Sequence, residues 1–166
     1  RRLRAEAGVV LVAARLLDPA ADTRGVDQPI DLAADLDDLV DGVEDYPAFL
    51  PWCERTCVDF RDEKRTVATL HISYLSVKSH FTTENYKQAP TIMRLHLIDG
   101  PFRRLEGEWK FKPLTDSACK IEFKLAYEFS SKMFEKVIGP VFGQIANTFV
   151  EAFVRRADKI YGVASA

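Results

Sequence analysis

Apolar and charged positions alternate strictly from residue 105 to residue 111. The odd positions carry Leu, Gly, Trp and Phe, and the even positions carry Glu, Glu and Lys. This period of two predicts a β-strand with one buried face and one solvated face. On the buried face, Gly107 stands between a leucine and Trp109. The pattern leaves open whether Gly107 belongs to a packed core or makes room for a ligand.

Similar patterns fill most of the chain between residues 54 and 130. The clearest is Ala118–Phe129, in which apolar side chains alternate with Lys and Glu. Alternation, or enrichment in β-branched and aromatic residues, predicts further strands at Cys57–Phe60, Val67–Val77, Ser79–Lys87 and Thr91–Ile98. We predict turns at Asp99-Gly100-Pro101 and at residues 113–117. Successive strands joined by short turns predict an antiparallel meander.

The apolar period changes to three or four residues in the C-terminal part of the chain. Residues 131–161 therefore predict one long amphipathic helix, which Gly139-Pro140 should kink or divide. Its central apolar stripe comprises Phe134, Ile138, Val141, Ile145, Phe149, Phe153 and Ala157, flanked by Val137, Phe142, Val150 and Val154. A shorter helix is predicted at residues 32–41, capped by Asp31 and ended by Gly42.

These elements predict an α+β fold in which a curved antiparallel β-sheet wraps around the long C-terminal α-helix. A sheet that grips one helix in this way often leaves a cavity between the two. The 166 residues suit a single domain. We assign this domain to residues 31–161, with a poorly assigned segment at 1–30 and a tail at 162–166.

Composition narrows the class of protein. The net charge is −2, with both signs interspersed, so no basic field argues for DNA or other nucleic acid. Three cysteines are an odd number, which argues against a disulfide framework and for a reducing compartment. No uninterrupted apolar run reaches the roughly 18 residues that span a bilayer. A cytoplasmic location is therefore expected.

The N-terminal residues RRLRAEAGVVLVAARLL are rich in Arg and Ala. They resemble a transit segment in composition, which would make the protein mitochondrial. They also fit a basic tail that leads into a first strand or helix, and we favour this second interpretation. Residues 18–31 hold two prolines, a glycine and four aspartates, which predicts a loop or linker.

Four segments together resemble a known family: YPAFLPWC, LIDGPFRRLEGEWKFKPL, CKIEFKLAYEF and GPVFGQIANTFVEAFVRRADKIY. They are similar to the RatA and coenzyme-Q-binding (Coq-type) family. That family belongs to the START-like, helix-grip (SRPBCC) superfamily, also called the polyketide cyclase/dehydrase and lipid transport group. The resemblance covers about residues 39–161, while residues 1–30 do not match the family pattern.

The resemblance implies a helix-grip fold with a hydrophobic tunnel. Mitochondrial relatives bind ubiquinone and support respiration. Bacterial relatives are ribosome-association toxins that bind the large ribosomal subunit and block the joining of the subunits. Many members are also described, by similarity alone, as oligoketide cyclases.

The predicted cavity wall consists of residues that lie on the buried side of a strand or of the long helix. Single residues of this kind are more often plain core, but eleven phenylalanines and an inward glycine favour an apolar pocket. The predicted lining is Leu97, Gly107, Trp109, Phe111, Phe123, Tyr127, Phe142, Ile145, Phe149 and Phe153.

The segment YPAFLPWC has two interpretations. It is either a connection packed on the core, or a portal loop that dips into a membrane surface. In the second case Phe49, Leu50, Pro51 and Trp52 supply the portal and its interfacial contacts. We favour the portal slightly, and with it a peripheral contact at the inner membrane.

No catalytic or metal-binding residue is predicted. His71, His80 and His96 are the only histidines, and no spacing pairs them with a nucleophile. Cys53 and Cys57 lack the second pair that a zinc site needs. The protein is therefore expected not to be an enzyme and to have no cofactor, apart from a bound ubiquinone or other lipid.

Basic residues lie on two neighbouring strands and near the end of the long helix. These residues are Arg103, Arg104, Lys110, Lys112, Lys120, Lys124, Arg155, Arg156 and Lys159. Interleaved carboxylates favour a role in solubility over contact with ribosomal RNA. The leading function is thus binding of a hydrophobic small molecule, ubiquinone above all. Binding to the large ribosomal subunit is the first alternative, and polyketide cyclisation is the second.

Overall fold

The computed structural model describes residues 5–15, 31–88 and 90–165, which form eight strands and three α-helices. The strands are β1 (Ala5–Arg15), β2 (Cys53–Arg61), β3 (Arg65–Tyr74), β4 (Val77–Gln88), β5 (Ile92–Asp99), β6 (Phe102–Thr115), β7 (Ala118–Phe129) and β8 (Val163–Ser165). The helices are α1 (Leu32–Asp41), α2 (Tyr46–Phe49) and α3 (Lys132–Tyr161), with a 3-10 turn at Val43–Asp45 between the first two.

The strands pair antiparallel in one sheet with the order β2-β3-β4-β5-β6-β7-β1-β8. The chain runs as a meander from β2 to β7, and β1 pairs with β7 on its other side. Helix α3 contacts β1, β4 and β7, while α1 contacts β6, β7 and α3. This arrangement confirms the predicted α+β fold, a curved antiparallel sheet around a long C-terminal helix.

The register between β6 and β7 places apolar residues together on the concave face. Trp109 lies opposite Phe123, Leu105 opposite Tyr127, and Gly107 opposite Leu125. All of these except Gly107 are buried. The alternation seen in the sequence therefore indicates correctly which face of these two strands is buried.

Helix α3 is one continuous helix of 30 residues. The hydroxyl of Ser131 caps its start by accepting a hydrogen bond from the Phe134 amide at 3.1 Å, and Gly162 ends it with φ of 68°. The helix passes through Pro140, so the predicted division at Gly139-Pro140 is wrong. By length and composition α3 would suffice to cross a bilayer, but 44% of its most apolar stretch is buried inside the protein.

The buried stripe of α3 begins later than predicted. Phe134 and Val137 are 41% and 54% exposed, and the first buried residue is Ile138. The first turns of the helix follow directly on β7, before its axis crosses the concave face of the sheet. These two residues therefore lie outside the core, in contrast to the prediction.

The N-terminal part of the domain contains a strand. The sequence leaves open whether a strand or a helix forms here. Residues Ala5–Arg15 form a strand, β1, which pairs with β7. The cap of α1 is also as predicted, since Asp31 accepts a hydrogen bond from the Ala34 amide at 3.1 Å and Gly42 ends the helix. The basic tail and the loop predicted at residues 18–31 lie outside the described residues, except for Asp31.

The predicted strand Val67–Val77 is two strands joined by a tight turn. Leu75 and Ser76 adopt φ of 47° and 66°, and Tyr74 pairs with Val77 across them. Both positive φ values match the two-residue turn that a hairpin favours, although Asn and Gly are the usual residues there. The prediction was wrong because neither residue signals a turn. The β6–β7 turn is also shorter than predicted, since β6 continues to Thr115.

Candidate ligand cavity

A partly open cavity of about 70 Å³ lies between the concave face of the sheet and α3. Its walls come from the end of α1, from the segment between α1 and β2, from five strands and from α3. The lining residues are Val40, Val43, Tyr46, Trp52, Leu70, Phe81, Thr83, Asn85, Met93, Leu95, Leu105, Trp109, Phe123, Leu125, Phe142, Ile145, Ala146 and Phe149. This wall is apolar except at three positions, Tyr46, Thr83 and Asn85.

Half of the predicted cavity residues line this space. They are Trp109, Phe123, Phe142, Ile145 and Phe149. The other five, Leu97, Gly107, Phe111, Tyr127 and Phe153, do not. Whether an inward-facing residue lines the cavity depends on where α3 crosses the sheet. The alternation of residues along a strand carries no information about that crossing.

Three of the residues outside the lining pack behind or beside it. Phe111 is stacked on Trp109 with ring centroids 5.7 Å apart, and Phe153 lies edge-on to Trp109 at 5.4 Å. Tyr127 contacts Phe142 in the same edge-on manner, at 4.7 Å. These rings hold the wall in place.

Gly107 makes room for a neighbouring side chain. A Cβ at this position would lie 2.9 Å from Cγ of Leu95, which is closer than side chains pack. Leu95 is opposite Gly107 in the register of β5 and β6, and its side chain lines the cavity. The glycine thus belongs to the packed wall, and it allows Leu95 to lie flat against β6.

Three aromatic rings of the wall contact one another. The Trp109 ring centroid is 4.5 Å from that of Phe123 and 5.7 Å from that of Phe149, while Phe123 and Phe149 are 5.5 Å apart. Such contacts stabilise a core beyond the burial of area alone. An apolar ligand in the cavity would contact this cluster.

The polar part of the wall lies on β4, where sequence analysis predicted no site residue. Thr83 and Asn85 are 5% and 7% exposed and both face the cavity. The Thr83 hydroxyl donates to Oδ1 of Asn85 at 3.0 Å. Residues 81, 83 and 85 share one strand face, so the alternation around Phe81 is the signal that places Thr83 and Asn85 inward. The third polar group, the Tyr46 hydroxyl, donates to the Val40 carbonyl.

A groove of about 390 Å³ lies outside the cavity, between the predicted portal loop and α3. Its lining includes Phe49, Pro51 and Trp52, whereas Leu50 is completely buried in the core. Trp52 and Ile145 line both the groove and the cavity. The Trp52 ring is 6.1 Å from that of Phe149, so these side chains separate the two spaces.

The residues that line the cavity all lie within a stretch of the chain that matches a known protein family. Residues 33–154 match the model of a family described as polyketide cyclase / dehydrase and lipid transport. This protein belongs to that family. The match confirms the superfamily that the sequence motifs predicted.

Comparisons with individual proteins narrow the resemblance. The ribosome association toxin RatA of Vibrio cholerae is 42% identical over 124 residues, which are 75% of this chain and 86% of the toxin. The mitochondrial coenzyme Q-binding protein COQ10 homolog B of Xenopus laevis is 29% identical over 134 residues, 75% of this chain and 53% of that protein.

A solved structure confirms the fold. A START superfamily protein from Mycobacterium smegmatis has a TM-score of 0.62 and 17% identity to this chain, covering 92% of this chain and 95% of that one. At this identity the likeness concerns the fold alone.

The description of the family also names polyketide cyclases. Such an enzyme needs side chains that can transfer protons or act as nucleophiles, and these groups would have to lie in the cavity wall. Among the described residues that line the cavity there is no Asp, Glu, His or Lys. Burial raises the pKa of the Cys53 and Cys119 thiols to about 11, so neither forms a thiolate readily near neutral pH. Among the described residues no group of three His, Cys, Asp or Glu side chains could hold a metal ion.

Most basic residues on the outer face of β6 and β7 are paired with carboxylates. Arg103 pairs with Glu128, Arg104 with Glu106, Lys110 with Glu108 and Lys120 with Glu122, at 2.8 to 3.4 Å. Lys112 and Lys124 form no ion pair with a described residue. The mixed charge of this face resembles an ordinary solvated surface more than a phosphate-binding one.

Proposed function

We propose that this protein binds an apolar molecule with an isoprenoid or acyl chain, with ubiquinone as the leading candidate and support of respiration as its role. The observation that carries the proposal is the apolar cavity, which shares Trp52 and Ile145 with a neighbouring groove. Burial of apolar surface stabilises such a ligand by about 25 cal/mol per Å². Membership of a lipid transport family and similarity to a coenzyme Q-binding protein support the same function.

The volume of the cavity implies that binding requires movement. An engineered protein cavity of roughly 150 Å³ accepts benzene, whereas this one measures about 70 Å³. The groove outside is about 390 Å³. Rotation of Trp52 away from Phe149 would join the two spaces. We therefore propose Trp52 as the gate, with the ligand's head group inside and its tail in the groove.

Organic extraction of the purified protein followed by mass spectrometry tests the proposal. We expect a quinone or another isoprenoid lipid in the extract. We also expect a short-tail ubiquinone added to delipidated protein to quench tryptophan fluorescence, because Trp52 and Trp109 line the cavity. No lipid in repeated extracts together with no quenching would contradict the proposal.

A peripheral membrane contact belongs to the same proposal. The turn between β3 and β4, the turn between β5 and β6 and the start of α3 lie at one end of the sheet, here called the portal end. Five large apolar side chains are exposed there: Leu75, Ile98, Met133, Phe134 and Val137. Val137 lies one helical turn before Val141, which lines the groove. The exposed patch thus continues into the groove, where a ligand dissolved in a bilayer would enter.

Sedimentation with vesicles of mixed zwitterionic and anionic lipids tests this contact. The double variant Met133→Glu, Val137→Glu should bind vesicles at least tenfold more weakly than the unchanged protein. Leu114→Glu is the matched control, since Leu114 is 51% exposed at the opposite end of the sheet. Equal vesicle binding by all three proteins would contradict the contact.

Association with the large ribosomal subunit is the second candidate function, and the two functions are compatible. The 42% identity to a ribosome association toxin favours it. Lys112 and Lys124, which form no described ion pair, are the basic residues of the outer face most available for phosphate. Cosedimentation with ribosomal subunits at low salt should show binding that Lys112→Glu, Lys124→Glu weakens. No association at low salt would exclude this candidate, since electrostatic contacts are strongest there.

We also infer that the protein is not an enzyme. The two named relatives above are a toxin and a coenzyme-binding protein, and none of the described residues that line the cavity is a carboxylate, a histidine or a lysine. Loss of turnover of a defined polyketide on Tyr127→Phe or His96→Ala, in a protein that still folds, would overturn this inference.

A further inference from the structure

We propose that Asn85 recognises a hydrogen-bond acceptor, in particular a carbonyl oxygen, on the ligand in the cavity. The inference rests on the proposed ligand-binding function and specifies its chemistry. It would make Asn85 the residue that distinguishes an oxygenated ligand, such as a quinone, from a plain hydrocarbon.

The amide group of Asn85 has an unused donor. Its oxygen accepts the hydrogen bond from the Thr83 hydroxyl at 3.0 Å, which orients the NH₂ group away from Thr83. This NH₂ group has no hydrogen-bond partner among the described residues, although the side chain is only 7% exposed. Among the described residues, the fully buried polar side-chain atoms without a partner belong to Asp37 and Arg156, so the Asn85 NH₂ group is instead an accessible donor at the cavity wall, where it can meet a ligand or a water.

Neither cross-strand neighbour of Asn85 forms a hydrogen bond with its NH₂ group. The partner of Asn85 across the strand on one side is Leu95, and on the other side it is Thr66. The Thr66 hydroxyl donates to Oδ1 of Asp41 at 2.7 Å, and it accepts no hydrogen bond from the Asn85 NH₂ group. The carboxylate of Asp41 in turn holds Lys87 at 3.1 Å. This network lies beside Asn85 but does not satisfy its NH₂ group.

The chemistry of the donor defines the ligand class. An amide NH₂ donates to a carbonyl oxygen with good geometry, and inside an apolar cavity no bulk water competes for that oxygen. A hydrocarbon leaves the donor unmet, so it loses affinity relative to a ketone or a quinone of the same size. The structure therefore favours a ligand with a carbonyl near one end and an apolar remainder against Trp109, Phe123 and Phe149.

The test compares two probes on three proteins. The probes are a short-tail ubiquinone and an isoprenoid hydrocarbon of the same tail length. The proteins are the unchanged chain, Asn85→Leu, which removes the donor and keeps the branched shape of the side chain, and Thr83→Val, which removes the hydroxyl but keeps the donor. Thermal unfolding of each variant confirms that it folds.

We expect Asn85→Leu to bind the quinone about tenfold more weakly and the hydrocarbon at least as well as the unchanged protein does. Thr83→Val should keep the preference for the quinone. Infrared difference spectra should show the carbonyl stretch of the bound quinone shifted to lower frequency, and the shift should disappear in Asn85→Leu.

Each other outcome has a defined meaning. If the unchanged protein binds neither probe, the proposed ligand-binding function fails, and this inference with it. If it binds the quinone but Asn85→Leu has the same affinity, only the role of Asn85 is overturned. If Asn85→Leu does not fold, the infrared measurement on the unchanged protein decides, since a carbonyl band without a shift would overturn the inference.

Discussion

At the scale of single residues, the cavity depends on small side chains that leave space for larger ones. Gly107 illustrates this, because the flat position of Leu95 over β6 requires that no Cβ be present at residue 107. Leu95 in turn lines the cavity, so its rotamer sets part of the available volume. One glycine outside the lining therefore controls the space inside it.

Gly107→Ala should push Leu95 into the cavity. A Cβ 2.9 Å from Cγ of Leu95 forces that side chain to move, and such overpacking costs about 1–3 kcal/mol of stability. We expect weaker ligand binding and a lower midpoint in urea. Gly8→Ala is the matched control, because its Cβ would meet only the Phe123 carbonyl oxygen at an ordinary 3.7 Å. Equal behaviour of the two variants would contradict this account of Gly107.

The sequence predicts some of these residues and misses others for a physical reason. Alternation identifies the inward face of a strand, and it placed Trp109 and Phe123 correctly. It does not show which inward residues face the cavity and which pack behind it, as with Phe111 and Leu97, because α3 decides this. It also does not identify Asn85 as a cavity residue, since a polar residue on a strand has no apolar signal to follow.

At the scale of elements, strict periodicity gives reliable predictions and weak turn chemistry does not. β6, β7 and α3 were predicted from their periods. The turn at Leu75 and Ser76 was missed because neither residue favours positive φ. β1 was left undecided between strand and helix, since a short apolar run such as residues 8–14 fits both; its pairing with β7 decides the matter.

Ser76→Gly should stabilise the β3–β4 hairpin. Ser76 has φ of 66°, a conformation that costs an L-residue about 1–2 kcal/mol but costs glycine little. We expect the free energy of unfolding to rise by about 0.5–1 kcal/mol after the entropic cost of glycine is included. Ser79→Gly, at a position inside β4, should be destabilising. A loss of stability in Ser76→Gly would contradict the turn geometry.

Helix α1 carries a buried carboxylate whose ionisation opposes folding. Asp37 is 5% exposed, and its Oδ1 has no hydrogen-bond partner. Burial, followed by the charges of Asp38 and Asp41, raises the pKa of Asp37 from 3.8 to about 6. The folded state therefore holds this proton more tightly than the unfolded state, so stability decreases as pH rises from about 4 to about 6 and is level above that range.

Asp37→Asn should remove this pH dependence. With a folded pKa of about 6, ionised Asp37 lowers the free energy of unfolding at pH 7 by about 3 kcal/mol. The variant should gain up to that amount at pH 7 and almost nothing at pH 3.5. Urea unfolding at both pH values measures the difference, and an equal effect of the substitution at the two values would contradict the assignment.

At the scale of the whole molecule, the sheet, α3 and the portal end together form the proposed ligand site and the route into it. The sheet and helix border an apolar space, which shares Trp52 and Ile145 with the groove, and the exposed apolar side chains of the portal end surround the way in. The family and the fold follow from the sequence motifs. The volume of the cavity does not, because it depends on how closely α3 approaches the sheet.

The most direct test of this arrangement is the binding stoichiometry of a short-tail ubiquinone, measured by native mass spectrometry. Ala146→Leu places three additional carbon atoms in the cavity from α3, where Ala146 is 2% exposed. Ala126→Leu makes the same change on the outer face of β7. We predict one quinone bound to the unchanged protein and to Ala126→Leu, and none to folded Ala146→Leu. Equal binding by all three, or no binding by the unchanged protein, would contradict the internal site.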